Sequence, residues 1–222
     1  MNETITRQKN DFPTLNQADF VGSVVHKYRP KENIITLTLA VGRPDNTGVD
    51  YPNITFYGEN ASIIDEAIDV KPGEFPRVCV SAEIQTSRKE FDDRVKYYQN
   101  IVGNELRLAP THMEQLTGQK GLGSHKLPAQ NDVRLMGLVV NVFQITRPGR
   151  EYPIGTIVTL KTVSNGRVNF PKVTCFGPNS IAASALQVGD YACVTGSIQT
   201  RYNAETKTRF ETIVANEIAK VE

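Results

Sequence analysis

A segment of ten residues occurs twice in this chain, and this repeat constrains the fold more than any other feature of the sequence. Tyr51–Asn60 reads YPNITFYGEN and Phe170–Asn179 reads FPKVTCFGPN, 119 positions (170 − 51) further on. Three more pairs of segments match at separations of 112 to 115 positions, and they begin at Gly22 and Gly137, Ile84 and Ile198, and Ile101 and Ile213. Because each copy of such a repeat forms one structural unit, the sequence predicts two similar domains.

The copies divide the chain into four parts. We place an N-terminal tail at residues 1–19, the first domain at 20–109, a linker at 110–132 and the second domain at 133–222. The linker contains three glycines and Pro128, which is typical of flexible connections. The tail is polar and lacks the apolar core of a signal peptide. An odd number of cysteines, Cys79, Cys175 and Cys193, also favours a reducing, cytoplasmic location.

Each copy contains five segments rich in β-branched and aromatic residues, which predict strands. In the first copy they are Val21–Tyr28, Ile34–Val41, Ile54–Tyr57, Val78–Thr86 and Tyr97–Leu108. In the second they are Leu135–Phe143, Thr156–Val163, Lys172–Phe176, Tyr191–Thr200 and Arg209–Val221. A helical segment, 61–68 or 180–186, separates the third strand from the fourth. This layout predicts an all-β chain with short helices, folded as two tandem five-stranded OB barrels.

The third predicted strand of each copy has a distinctive pair of faces. Side chains alternate between the faces of a strand, and the apolar pairs Ile54 with Phe56 and Val173 with Cys175 must point into the barrels. The residues left on the outer faces are Tyr51, Asn53, Thr55 and Tyr57, and Phe170, Lys172, Thr174 and Phe176. Flat rings with cations between them suit the bases and phosphates of unpaired nucleic acid. Packing against the other domain or another subunit is the alternative interpretation of these rings.

Two further regions of each copy combine cations with aromatic rings. The hairpin between strands four and five carries Arg88, Lys89 and Tyr97 in the first copy, and Arg201, Tyr202, Lys207 and Arg209 in the second. The loop after strand one carries Tyr28 and Arg29, or Phe143 and Arg147. Both are candidate contacts to a nucleic-acid strand. A solvated hairpin of mixed charge and a solubilising turn are the respective alternatives.

The second copy resembles the bacterial single-stranded DNA-binding protein family over most of residues 135–216. The resemblance rests on VTCFG at 173–177, on LQVGDYACVTGSIQT at 186–200 and on the charged hairpin that follows. The family pattern there has an aromatic and a basic residue before an aromatic–glycine pair, then a lysine–glycine turn and a Gly-x-Leu-x-Thr-Arg stretch. The first copy matches more loosely. Because family members usually combine four OB barrels, the resemblance implies a homodimer.

The sequence also departs from this family. It has no tryptophan, the residue on which the family usually stacks bases. Since it ends at Glu222, directly after a predicted strand, we expect it to lack the family's acidic, partner-recruiting tail. The turn at 71–76 contains two prolines and is longer than usual. These departures fit a divergent member, for example one encoded by a phage or a mobile element.

We therefore predict sequence-independent binding and protection of single-stranded DNA in replication, recombination or transfer. The alternative is an OB-fold protein-interaction scaffold in a replication or conjugation complex, which a formal net charge of only +1 favours. The sequence contains no phosphate-binding loop, no metal-ligand spacing and no apolar run of membrane-spanning length. We expect no enzymatic activity, no cofactor, no metal and no membrane partner.

Overall fold

Strands dominate the computed structural model, which describes residues 13–44, 47–92, 94–109, 129–149 and 152–221. The strands of the first half are β1 (Leu15–Lys31), β2 (Ile34–Gly42), β3 (Val49–Asp50), β4 (Asn53–Tyr57), β5 (Arg77–Phe91) and β6 (Arg94–Leu108). Those of the second half are β7 (Gln130–Ile145), β8 (Gly155–Ser164), β9 (Arg167–Asn169), β10 (Lys172–Cys175), β11 (Tyr191–Asn203) and β12 (Thr208–Val221). Helix α1 spans Glu59–Ala67 and helix α2 spans Pro178–Ser184. Residues 1–12 of the predicted tail and 110–128 of the predicted linker lie outside the described residues.

The first five-stranded barrel is formed by β1, β2, β4, β6 and β5, which follow one another around it. The pairing of β1 with β2 closes the ring, and β4 runs parallel to β6. Alternate side chains of β2, from Ile35 to Val41, are almost completely buried, as expected for a strand with one face in a core. Helix α1 adds Ala61 and Ile64 to this core.

The second barrel repeats this arrangement with β7, β11, β12, β10 and β8. Here β7 pairs with β8 to close the ring, and β10 runs parallel to β12. In the chain, each helix lies between the third and the fourth strand of its barrel, as the sequence predicts: α1 follows β4 and precedes β5, and α2 follows β10 and precedes β11. The predicted fold class, two tandem five-stranded OB barrels, is confirmed.

One long strand joins the two barrels into a single twelve-stranded sheet. β1 pairs with β7 in antiparallel register, from Leu15 opposite Met136 to Val21 opposite Gln130. Leu15 to Asp19, which the sequence assigns to the tail, therefore form the start of β1 and contact the other barrel.

A glycine makes room for the buried Phe56 ring in the first core. Gly103 lies opposite Ala82, beside a bulge at Asn104 of β6, and the Phe56 ring is fully buried against it. A Cβ atom on Gly103 would lie 2.1 Å from Cε1 of Phe56. The corresponding positions of the second barrel hold Cys175 and Ala215, a smaller side chain facing a larger one. The two repeats thus fill equivalent space with different pairs of residues.

Candidate nucleic-acid interface

The outer faces of β4 and β10 carry the side chains that the alternation pattern places there. Ile54, Phe56, Val173 and Cys175 are all fully buried, which confirms the predicted inward faces. On the opposite faces Tyr57 is 47% exposed and Phe176 is 42% exposed. The rings at these two equivalent positions are thus open to solvent.

The glycine after each of these rings fixes where the strand ends. Gly58 has a φ of 65° and Gly177 a φ of 55°, both in the left-handed region that favours glycine. Helices α1 and α2 begin directly after them. The repeated aromatic–glycine pair therefore marks a strand-to-helix turn that leaves the ring at the end of the outer face.

The hairpin of the first barrel crosses onto the outer face of the second. Beyond the barrel, β5 and β6 continue as a two-stranded arm in which Thr86 lies opposite Gln99. The backbone N–H of Phe170 donates to the Thr86 hydroxyl at 2.9 Å, and that of Lys172 donates to Oε1 of Gln99 at 2.8 Å. The Thr86 N–H in turn donates to Oδ1 of Asn169 at 3.0 Å. We call this arm the first hairpin.

The hairpin of the second barrel, formed by β11 and β12, repeats these contacts on the first barrel. The Tyr51 N–H donates to the Thr200 hydroxyl at 2.9 Å, and the Thr200 N–H donates to Oδ1 of Asp50 at 2.8 Å. The Asn53 N–H donates to Oε1 of Glu211 at 2.8 Å. We call this arm the second hairpin. The two halves therefore contact each other through equivalent sets of hydrogen bonds. Two identical subunits related by a twofold axis would show the same reciprocal arrangement.

A cleft of about 790 Å³ lies where the first hairpin meets the second barrel. Its lining includes Arg88, Tyr97 and Tyr98 from the hairpin, and Phe170 and Lys172 from the barrel. The Lys172 ammonium lies 5.5 Å from the centre of the Tyr97 ring, within cation–π distance. Phe170 is 43% exposed. The cleft thus brings predicted residues of both domains together.

The equivalent ring of the first barrel is less exposed. The Arg209 guanidinium lies 4.7 Å from the centre of the Tyr51 ring, and Tyr51 is partly buried, whereas Phe170 is exposed. Asn53 donates its side-chain amide as well as its backbone N–H to Glu211. Burial raises the pKa of the Glu211 carboxyl, while its hydrogen bonds with Asn53 and the charge of Arg209 act in the opposite direction. Tyr51 and Asn53 therefore contact the other domain, which is the alternative that the sequence left open.

The remaining predicted residues lie on the hairpins and at the end of the first strand of each barrel. Tyr28 and Arg29 belong to β1 and Phe143 to β7, because these strands extend further than the sequence predicts, and only Arg147 follows its strand. Of the hairpin residues, Arg88 pairs with Glu90 at 2.6 Å, and Tyr202 is 63% exposed. Of the others, Arg29 pairs with Asp65. Lys89, Arg201, Lys207, Tyr28, Phe143 and Arg147 are all exposed. These side chains surround the outer faces and remain candidates for contact.

Sequence reasoning missed the hydrogen-bonding residues that place each hairpin on the other barrel. They are Thr86, Gln99, Thr200 and Glu211. Their signal is the repeat itself, because Thr86 and Thr200 end the matched Ile-Gln-Thr segments. A threonine at equivalent positions of both copies is consistent with a shared hydrogen-bonding role, although the repeat does not reveal the partner.

In the described part of the chain, no helix is long and apolar enough to cross a membrane. Across the same residues, no group of three or more histidine, cysteine or acidic side chains is placed to hold a metal ion.

Two solved structures resemble this one over both barrels. The single-stranded DNA binding protein from Thermus aquaticus superposes with a TM-score of 0.65 and 18% sequence identity, over 95% of this chain and 95% of that chain. A deletion mutant of the same protein gives a TM-score of 0.64 and 17% identity, over 95% and 96%. No family model matches the sequence, and no curated protein does. The resemblance to the single-stranded DNA-binding proteins is confirmed in the fold.

Proposed function

We propose that this protein binds single-stranded DNA without reading its sequence, and that it protects such strands in replication, recombination or transfer. It does so by binding alone, without catalysis. The observation that carries the proposal is the pair of exposed rings, Tyr57 and Phe176, at equivalent ends of the two outer faces. The fold shared with the Thermus aquaticus protein supports the same conclusion.

The chemistry of these faces suits an unpaired strand better than a duplex. A base that is not stacked in a helix offers a flat face to an aromatic ring, and this contact contributes about 1–3 kcal/mol whichever base is present. Cations such as Lys172 and Arg88, beside the rings of the cleft, can neutralise the phosphates. A duplex hides the faces of its bases and leaves only the phosphates to be bound.

Binding of fluorescent oligonucleotides at several salt concentrations tests this proposal. We expect the logarithm of the affinity to fall with that of the salt concentration, by a slope of about −0.7 for each phosphate contacted. The matched control is the same oligonucleotide annealed to its complement. Equal affinity for the duplex and the single strand would contradict the proposal.

The second candidate function is an OB-fold protein-interaction scaffold. The near-neutral net charge of +1 favours it, because nucleic-acid-binding proteins often carry a clear positive excess. Capture of a partner protein by a variant that no longer binds DNA would support this function. Loss of the partner together with the DNA would point back to single-stranded DNA binding.

We further propose that the protein is a cytoplasmic homodimer. The resemblance to a family that combines four OB barrels implies two chains of two barrels each. Three free thiols, including the exposed Cys193, suit a reducing compartment. Light scattering in dilute solution tests the oligomeric state, and one chain per particle would contradict a dimer.

A further inference from the structure

The contacts between the halves match in geometry but differ in charge. Gln99 of the first hairpin and Glu211 of the second occupy equivalent positions, and each Oε1 accepts a backbone N–H at 2.8 Å. Asn169 and Asp50 form a second equivalent pair, in which each Oδ1 accepts the N–H of a threonine. The face of the second barrel is thus bounded by two neutral amides, and the face of the first by two carboxylates.

The two carboxylates lie at the face whose ring, Tyr51, is less exposed than its counterpart Phe170. Arg43 forms two 2.8 Å hydrogen bonds with Asp50, and Arg209 lies over the Tyr51 ring. Cations contact groups of the protein at both faces, since Lys172 lies over the Tyr97 ring and Arg88 pairs with Glu90, so the faces differ in their carboxylates and in the exposure of their rings. The matching ring of the second barrel, Phe170, instead lines the open cleft.

We propose that the two barrels offer single-stranded DNA unequal sites: the cleft at Phe170 and Lys172 binds the first nucleotides, and Glu211 weakens the matching site on the first barrel. This inference rests on the proposed function and adds where binding begins. The Glu211 carboxylate repels a phosphate and holds Asn53 through two hydrogen bonds, and the Arg209 guanidinium lies over the Tyr51 ring, so a base must displace Arg209 to stack on Tyr51. Gln99, in the equivalent position, carries no charge.

A fluorescein-labelled oligonucleotide of eight thymidines, within the reach of about one barrel, tests the inequality. Titration of the full chain should give a tight phase and a weak phase. Phe170→Ala should weaken the tight phase about tenfold or more, because it removes a ring on which a base stacks. Tyr51→Ala, its matched control, should leave the tight phase within about twofold. Equal weakening by both variants would overturn the inference.

A reciprocal exchange of amide and carboxylate tests the role of Glu211. Glu211→Gln should strengthen the weak phase, and Gln99→Glu should weaken the tight one, each by about three- to tenfold for a single charge. Both changes keep the size of the side chain and the accepting oxygen, and circular dichroism checks that each variant is folded. Unchanged binding in both variants would remove Glu211 from the explanation. Absence of any oligonucleotide binding by the unmodified protein would instead defeat the proposed function itself.

Discussion

The Thr86 hydroxyl of one barrel accepts a 2.9 Å hydrogen bond from the backbone N–H of Phe170 in the other. In the equivalent contact the Thr200 hydroxyl, from the second barrel, accepts a hydrogen bond from the backbone N–H of Tyr51 in the first. These bonds fix each hairpin at the start of the outer face that it crosses. The shape of the candidate DNA site therefore depends on hydrogen bonds between the two barrels.

Replacing the Thr86 hydroxyl by a methyl group should weaken the packing of the barrels. Thr86→Val keeps the volume of the side chain but leaves the Phe170 N–H without this acceptor, so we expect a loss of about 1 kcal/mol in the free energy of unfolding. Urea denaturation measures it. Thr195→Val, on an exposed position of β11, should change stability by less than about 0.5 kcal/mol. An equal effect of both changes would argue against the inter-barrel bond.

A methyl group on Gly103 should disturb the first core. Gly103→Ala places a Cβ 2.1 Å from the buried Phe56 ring, and overpacking of this kind costs about 1–3 kcal/mol. The control is Gly48→Ala, where no atom lies within 4 Å of the new Cβ. Thermal unfolding should show a clear loss of Tm for the first variant only. Unchanged stability of Gly103→Ala would mean that Phe56 can move aside.

Removal of the two exposed rings should weaken DNA binding while leaving the fold intact. The double change Tyr57→Ala with Phe176→Ala removes two stacking surfaces of about 1–3 kcal/mol each, so affinity for a long oligonucleotide should fall at least tenfold. Val188→Ala removes exposed apolar surface on a turn and should leave affinity unchanged. Fluorescence anisotropy measures the affinity, and wild-type binding by the double variant would show that these rings do not contact DNA.

The sequence was sufficient to predict the barrels but not how they meet. Period-two alternation assigned Ile54 and Val173 to the cores, because burial of one face is a local property of a strand. The crossing of the hairpins depends on tertiary contacts such as that between Thr200 and Tyr51, which are about 150 positions apart. The alternation of apolar and polar residues along a strand does not predict contacts between residues so far apart in the sequence.

The end of the predicted tail was also assigned from too little of the repeat. Asn16 and Asn131 occupy equivalent positions, and each amide forms two hydrogen bonds with the backbone of Ile84 or Ile198. A single shared asparagine among unlike neighbours is a weak sequence signal. The polarity of residues 1–19 therefore outweighed it, although Leu15–Asp19 belong to β1.

The three cysteines should react at different rates. Burial raises the pKa of the Cys175 thiol to about 11, so it remains protonated and shielded at pH 8. Cys193 is exposed and should react first with a chromogenic disulfide reagent. We expect Cys193→Ser to abolish the fastest phase and Cys175→Ala to leave it unchanged. Rapid modification of Cys175 in the folded protein would contradict its burial.

Acid should remove the contribution of Asp190 to stability. A hydrogen bond from Lys220 and one from the Gln187 N–H hold the pKa of this carboxyl below its usual value of 3.8. Its stabilising effect is therefore complete above pH 3.8 and is lost as the pH falls through the lower, folded-state pKa. The stability advantage of the wild type over Asp190→Asn should shrink across that range. Glu205→Gln, at an exposed turn, provides the control, and a constant difference would contradict the linkage.

The pairing of β1 with β7 has a consequence for any fragment of this chain. Separating the two halves would remove the strand that pairs with Leu15–Val21. It would likewise leave the backbone of Gln130–Met136 without its partner on that side. Such an exposed edge can pair with another strand, so we expect an isolated half to associate with a second copy of itself. In the intact chain, β1 and β7 pair with each other, so neither edge is free. This intramolecular pairing replaces the contact that two separate subunits would otherwise form.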